Sequence, residues 1–243
     1  MNSWWQALTI GLREMIYPSH CLCCDASIPY YDPLFCEKCT HELSTDPHVT
    51  CPRCSSSVGR YSDTTDGCLS CRRERYGFDG VIRLGPYVEP LRSLVIWGKQ
   101  RGHECVAEQL GKLWAKARRV QFETVQPDYI VPIPLHFWRQ TKRGFNQCEH
   151  YADAIAQELQ LPCLLDGLKR LRFTGTQKER SPSERRTAMV GAFQARPFSG
   201  WDRSTVLLVD DVLTSGSTAS EAARALRVVG VRRIIVAVVA HGR

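Results

Sequence analysis

The chain has 243 residues, 43% hydrophobic and 23% charged, which excludes a disordered or collagen-like polymer and fits one to two domains at roughly 150 residues each. With 32 Lys and Arg against 25 Asp and Glu, the net charge is +7, an excess that suits an anionic partner without naming one. The longest apolar run, Ile234 to Ala240, is far short of the ~20 residues that span a bilayer, so no transmembrane segment is expected.

In residues 1–18, Trp4, Leu8, Leu12, Met15 and Ile16 recur at helical spacing before Pro18, which predicts an amphipathic N-terminal helix. Its other face lacks the Lys/Arg richness of a membrane anchor, so it is expected to dock on the protein's own body. Arg13 and Glu14 interrupt the apolar residues and no small-residue cleavage site follows, so this is not read as a secretory signal. The chain is therefore placed in the cytoplasm, where paired thiols are metal ligands more often than disulfides.

Residues 19–76 are rich in Cys, Ser, Pro and Asp and carry no long periodic segment. Such a stretch cannot bury a sufficient core and needs staples. Eight of the 12 cysteines form four C-x-x-C pairs, Cys21/Cys24, Cys36/Cys39, Cys51/Cys54 and Cys68/Cys71. Each such turn aims two sulfurs at one centre, and two turns complete a tetrahedral site. Sequential pairing predicts a small double zinc-ribbon domain with two structural Zn2+ ions. A cross-braced pairing is the alternative, and Cys23 stands beside the first pair as a substitute ligand. Four protein ligands leave no open position, so catalysis by these metals is not expected. Cys105, Cys148 and Cys163 are read as packing residues.

From residue 77 to 243, strand and helix patterns alternate, as in α/β folds with a parallel sheet flanked by helices. Val81–Leu84 and Tyr87–Val88 read as a hairpin about Gly85-Pro86. Glu89–Trp97 and Glu104–Arg118 read as helices, and Tyr129–Ile133 as a strand. A basic loop follows with His136, Arg139, Lys142, Arg143 and Gly144. Asn146 then caps a helix, with Glu149 placed to reach back as in a capping box. Residues 173–187 are polar, basic and without period, and read as a mobile loop. Thr205–Val209 is a buried strand, Gly216–Val229 a helix stopped by Gly230, and Ile234–Val239 a final strand apolar on both faces.

The segment Val206 to Thr218, VLLVDDVLTSGST, carries the chemistry. A buried strand delivers two carboxylates, then a turn of Thr, Ser and Gly, then a helix N-terminus. Small residues around Gly216 let backbone amides converge on a phosphate, and Thr214, Ser215, Ser217 and Thr218 add hydroxyls. The helix dipole favours the same anion. Asp210 and Asp211 repel a phosphate but suit a pair of vicinal hydroxyls, as on ribose, with help from a divalent metal. Either half alone reads as solvated acids or an ordinary helix cap; both in register predict a ribose-5-phosphate site. No G-K-[ST] or G-x-G-x-x-G is present.

This stretch resembles the 5-phosphoribosyl-1-pyrophosphate (PRPP) motif of type I phosphoribosyltransferases. With the paired cysteines in front and IVPIPLHFWRQTKRGFNQ (130–147) in the middle, the chain after residue 20 resembles the ComF/GntX-like family. The resemblance implies a type I phosphoribosyltransferase-like parallel sheet behind the zinc ribbons. It implies that Asp210 and Asp211 hold the ribose hydroxyls with Mg2+, that Leu213, Thr214, Ser215, Gly216, Ser217 and Thr218 wrap the 5-phosphate, and that Arg143 and Lys99 reach pyrophosphate. Gln177, Arg180, Arg185 and Arg186 fall where such enzymes carry a closing loop. Ser215 replaces the commoner second threonine and keeps its hydroxyl.

Two functions follow from that resemblance. One is a phosphoribosyltransferase acting on a nucleobase or related amine. The other is a non-catalytic component of natural competence and DNA use that binds a nucleotide or single-stranded DNA, with competence proteins as partners. For a base-stacking role, the cysteine-rich segment offers Tyr30, Tyr31, Phe35 and Tyr61.

Overall fold

A computed structural model describes residues 19–29, 34–172 and 189–242. The expected helix over residues 1–18, the whole of the expected loop 173–187, with Gln177, Arg180, Arg185 and Arg186, and both Tyr30 and Tyr31 lie outside the described residues.

The cysteine-rich segment forms two short ribbons and a helix. Strand β1 (Ser19–His20) pairs antiparallel with β2 (Ser27–Ile28), helix α1 spans Glu37–Ser44, and β3 (Val49–Thr50) pairs antiparallel with β4 (Ser57–Val58). The two ribbons repeat one turn. The Cys21 carbonyl accepts from the Asp25 amide at 2.9 Å and the Cys51 carbonyl from the Ser55 amide at 2.8 Å. Asp25 and Ser55 both take φ of 59°, the left-handed step that folds each C-x-x-C back on itself.

The remainder alternates strand and helix: β5 (Gly80–Pro86), α2 (Leu91–Trp97), α3 (Glu104–Ala117), α4 (Arg119–Val125), β6 (Tyr129–Pro132), α5 (Phe137–Arg143), α6 (Gln147–Leu159), β7 (Leu168–Arg170), β8 (Phe193–Ala195), β9 (Thr205–Leu213), α7 (Ser217–Val228) and β10 (Arg233–His241). Four of the strands make a parallel sheet in the order β5-β10-β9-β6, and β7 pairs antiparallel with β8 in a separate ribbon.

The period of two along the central strands separates two cores. Leu207, Val209, Ile235 and Ala237 pack with residues of α2, α3 and α6, whereas Val206, Leu208, Ile234 and Val236 pack with α7 and the β7–β8 ribbon. This is why both strands read as unbroken apolar runs. At about 1.5–3 kcal/mol for each fully buried Val, Leu or Ile side chain, these strands anchor the sheet. Trp114 centres the first core, edge-on to Phe122 at 5.8 Å and to Tyr151 at 6.1 Å.

Four local expectations need correction. The hairpin about Gly85-Pro86 does not form: β5 runs straight through to Pro86 in parallel register with β10. As an end strand, β5 tolerates a proline at its last position. The basic stretch after β6 is a helix, α5, capped by His136, whose side chain accepts from the Trp138 amide, and ended by Gly144 at φ 87°. Helix α4, absent from the sequence reading, follows α3 directly after Arg118. The Asn146 cap forms as expected, with Oδ1 accepting from the Cys148 amide at 3.2 Å, but Glu149 accepts from the Asn146 side-chain amide and not from its backbone.

The cysteine-rich segment wraps the outer edge of β5. The Arg83 side chain, 2% exposed, donates to Asp46 at 2.8 Å, to the Ser55 carbonyl at 2.7 Å and to the Ser57 hydroxyl at 2.8 Å. Arg118 donates to the carbonyls of Arg83, Leu84 and Ser44. Two buried cations thus satisfy carbonyls that no neighbouring strand reaches.

Candidate functional site

Strand β9 is longer than its apolar pattern, so Asp210 and Asp211 are still strand residues, at the carboxyl end of the sheet where open α/β sheets bind ligands. Leu213 ends the strand with its side chain buried in the second core, so it offers the turn only backbone. Thr214, Ser215 and Gly216 make the turn, and Ser217 and Thr218 open α7. Gly216 takes φ of 71°, a left-handed conformation that costs any other L-residue roughly 1–2 kcal/mol. The Ser215 and Ser217 hydroxyl oxygens lie 2.9 Å apart. Among the described residues, no protein atom accepts from the backbone amides of Ser215, Gly216, Ser217 or Thr218. The first intrahelical return here is the Ser220 amide to the Gly216 carbonyl at 2.8 Å. The turn therefore presents free donors backed by a helix N-terminus, the arrangement that receives an anion.

The two acids differ in surroundings. Asp211 Oδ2 accepts from Lys99 Nζ at 2.8 Å and from the Gln147 carboxamide at 2.6 Å. Gln147 in turn accepts from Arg143 at 2.8 Å. Burial alone would raise Asp211, but the Lys99 charge and the two hydrogen bonds outweigh it and hold the carboxyl below its ordinary range. Asp210 accepts from the Asp211 amide at 2.9 Å and lies 3.7 Å from the Cys148 thiol. Burial first, and the Asp211 charge second, push Asp210 up to about 7. One carboxyl is held ionised beside a second that keeps a proton near neutrality.

A cationic group stands beside the acids. Burial, then Arg139, lower Arg170, the last residue of β7, to about 10, while the Asp210 charge acts in the other direction. His136 is lowered by burial and then by Arg170 and Arg139. Arg139, itself shifted down by burial and Arg143, also feels Asp211. The guanidinium of Arg170 lies over the Phe193 ring at 5.3 Å. His136, Arg139, Arg143 and Arg170 are thus electrostatically joined to one another and to the acid pair. The cations named from sequence, Arg143 and Lys99, both reach the Asp211 network.

The cysteines group as the sequential pairing proposes: Cys21, Cys24, Cys36 and Cys39 in one cluster, Cys51, Cys54, Cys68 and Cys71 in the other, with sulfurs within 4.8 Å of one another. Cross-bracing is excluded, and Cys23 belongs to neither cluster. A tetrahedral centre with metal–sulfur bonds of about 2.3 Å requires sulfur pairs about 3.8 Å apart. Measured separations are 3.7 Å for Cys24–Cys36, 3.8 Å for Cys51–Cys71, 3.6 Å for Cys54–Cys68 and 3.8 Å for Cys68–Cys71. Burial would raise Cys21, yet the amides of Cys36 and Cys23 donate to its sulfur and bring it down to about 6. The donor set fits a soft tetrahedral ion.

Reasoning from sequence missed Arg170 and the Asp211-binding role of Gln147. Gln147 follows the Asn146 cap on the first turn of α6, and its place in the RGFNQ stretch was the available signal. Arg170 carries no local signal: it lies far from the acids in sequence, on β7, and feels the Asp210 charge only in the folded chain. Of the candidate stacking aromatics, Phe35 is buried in the first core, whereas Tyr61 is exposed.

A parallel sheet whose penultimate strand ends in two acids and a free-amide turn, behind two four-cysteine clusters with the geometry to hold a metal ion, defines a phosphoribosyltransferase-fold protein with a cysteine-rich N-terminal segment. Residues 146–243 match the family described as "Phosphoribosyl transferase domain". The chain is 30% identical over 218 residues to "Competence protein F" of Haemophilus influenzae, covering 88% of this chain and 93% of that protein. It is 28% identical over 196 residues to "DNA utilization protein YhgH" of Escherichia coli K12, covering 79% of this chain and 83% of that one. Among solved structures, the glutamine PRPP amidotransferase of B. subtilis complexed with ADP and GMP aligns at 22% identity and TM-score 0.36, over 54% of this chain and 25% of that one. The chain belongs to the competence protein F (ComF) family. Among the described residues no helix is long and apolar enough to cross a membrane.

Proposed function

We propose that this chain binds PRPP, or a related ribose 5-phosphate ligand, at the β9–α7 turn and serves the uptake and use of external DNA in the cytoplasm. The observation that carries the binding reading is the row of free amides from Ser215 to Thr218 in the turn that ends the strand bearing Asp210 and Asp211. In this reading Thr214 to Thr218 hold the 5-phosphate, and Asp210 and Asp211 accept from the ribose 2′- and 3′-hydroxyls. Arg143, with Arg139, Arg170 and Lys99, faces pyrophosphate. Two carboxylates beside a diphosphate ligand form a hard-oxygen donor set that suits Mg2+. Such an ion, when bound, supplies charge neutralisation at the pyrophosphate oxygens. Fixed cations at the leaving group stabilise charge as the C1–oxygen bond breaks, which is the electrostatic part of a transferase step. The two cysteine clusters hold structural zinc in this reading, and the DNA role rests on the names of the relatives.

A second reading is favoured by α5, where Phe137 and Trp138 are 68% and 67% exposed, ring centroids 5.9 Å apart, on the helix that carries Arg139, Lys142 and Arg143. Aromatic faces among cations stack and neutralise single-stranded nucleic acid. There the protein is a non-catalytic nucleotide- or DNA-binding component with competence proteins as partners. Pyrophosphate release from PRPP across a panel of nucleobases separates the two. Release that is lost in Asp210→Asn and Asp211→Asn supports a transferase. PRPP binding without release, with strand binding lost in a Phe137→Ala/Trp138→Ala variant, supports the binding component. Affinities for the strand are compared at one salt concentration.

A further inference from the structure

The segment leaving the second cysteine cluster does not simply lead into the sheet; it leans on the anion turn. Tyr76 packs against the cluster formed by Cys51, Cys54, Cys68 and Cys71. Its ring stacks on Phe78 with centroids 4.5 Å apart and planes 13° from parallel. Arg53, inside the Cys51–Cys54 turn, places its guanidinium 5.7 Å from the Tyr76 ring centre. The same guanidinium donates to the Cys71 carbonyl at 2.9 Å and to the Glu74 carbonyl at 2.5 Å, which fixes the chain at the cluster's last ligand and just beyond it. The far edge of the Tyr76 ring meets Gly216: a Cβ placed on that glycine would stand 3.0 Å from Tyr76 Cε1 and 3.5 Å from Phe78 Cζ. One residue on, the Gly77 amide donates to the Ser220 hydroxyl at 2.8 Å, and a Cβ on Gly77 would collide with the Ser220 carbonyl. The first turn of α7 and the left-handed glycine before it are thus buttressed by residues 76–78.

Among the described residues the first cluster makes no such contact. Cys21 and Cys39 join the core on the other face of the sheet, with α3 and α6.

We propose that Tyr76 is a positioning residue for the anion turn, through which the Cys51/Cys54/Cys68/Cys71 cluster sets the affinity of the β9–α7 site for a sugar phosphate. The proposal rests on the reading of that turn as the phosphate cradle. Convergent amides bind a phosphate only while their directions are held, and an ångström of misplacement is costly. Gly216 has the widest conformational freedom of any residue type, so its left-handed state needs external support. The aromatic ring supplies that support, and the phenol hydroxyl is not required for it.

The test uses the full-length, metal-loaded protein with PRPP and Mg2+ as probe. Calorimetry gives the dissociation constant, amide hydrogen exchange over residues 214–218 gives the order of the turn, and elemental analysis gives zinc per chain. Tyr76→Ala is expected to bind PRPP roughly tenfold more weakly and to exchange faster over 214–218 at unchanged zinc content. Tyr76→Phe is expected to restore both. Cys71→Ser, which breaks the second cluster, is expected to reproduce the Tyr76→Ala effect, and Cys24→Ser, which breaks the first, to leave exchange over 214–218 unchanged. Equal PRPP affinity and exchange in Tyr76→Ala and wild type would overturn the proposal. If wild type binds no PRPP, the reading of the cradle fails, and the exchange comparison still decides whether Tyr76 orders the turn.

Discussion

Lys99 and Asp211 meet at 2.8 Å, with the Gln147 carboxamide 2.6 Å from the same carboxylate oxygen. The lysine comes from the turn after α2 and the acid from the end of β9, so the ion pair ties the helical layer over one sheet face to the candidate diol-binding pair. Desolvation alone would lower Lys99, but the attraction of Asp211 prevails and raises it. The lysine stays charged and keeps its partner ionised.

Replacing Lys99 by Met should therefore raise the Asp211 pKa and weaken PRPP binding by at least tenfold, the factor that corresponds to about 1.4 kcal/mol. Carboxyl-selective NMR titration of Asp211 and calorimetry with PRPP check the two outcomes. An unmoved Asp211 would show that Gln147 and the Arg143 charge suffice to hold it ionised.

Asp210 gives stability a pH slope of known sign. Its carboxyl titrates at about 7 in the folded chain, against an ordinary 3.8. Between those values the folded protein holds a proton that the unfolded chain has released. Stability thus falls as pH rises through this window and levels off above it. Asp210→Asn should flatten the profile and exceed wild type in stability above about pH 7. Urea midpoints measured across the window test it. Affinity for PRPP with Mg2+ should move the other way, rising as Asp210 ionises, and the rise should vanish in the variant.

Metal content should be two zinc ions per chain, falling to one in Cys54→Ser. Structural zinc contributes on the order of 10 kcal/mol to folding of a segment with little core, so strong chelators should expose residues 34–76 to protease before the sheet unfolds. A preparation that folds fully with no metal would contradict the assignment.

The buried Arg83–Asp46 pair offers a stability test remote from the site. Arg83 is 2% exposed and Asp46 11%. Asp46→Ala strands the guanidinium with only the Ser55 carbonyl and the Ser57 hydroxyl, and removal of one partner of a buried pair costs about 3–5 kcal/mol. Thermal or urea denaturation reads this directly, and PRPP affinity should not change.

Much of this site was legible because it is contiguous. Strand, acids, turn and helix follow one another from Val206 to Thr218, and each C-x-x-C turn states its own geometry, so local chemistry was enough. What escaped was assembled by distant contacts or carried no apolar period. FWRQTKR has no buried face, and α5 accordingly has no buried residue, so periodicity could not reveal it. Arg170, on β7, comes under the influence of the Asp210 charge only once the chain has folded. The Gly85-Pro86 signal was genuine turn chemistry, overridden because β10 offers β5 a parallel partner along its whole length. Tyr76 looked like the last residue of one segment, and nothing in its neighbours announces that its ring abuts Gly216.

Neither rim of the sheet is bare. At the β6 side the Ile130 amide donates to the Pro162 carbonyl at 3.0 Å and the Ile130 carbonyl accepts from Leu164 at 2.8 Å. At the β5 side the guanidinium of Arg118 occupies the carbonyls of Arg83 and Leu84. An exposed strand edge beside such apolar centre strands is a template for intermolecular fibre growth. A charged plug at one rim and a folded-over loop at the other deny that template to a second chain.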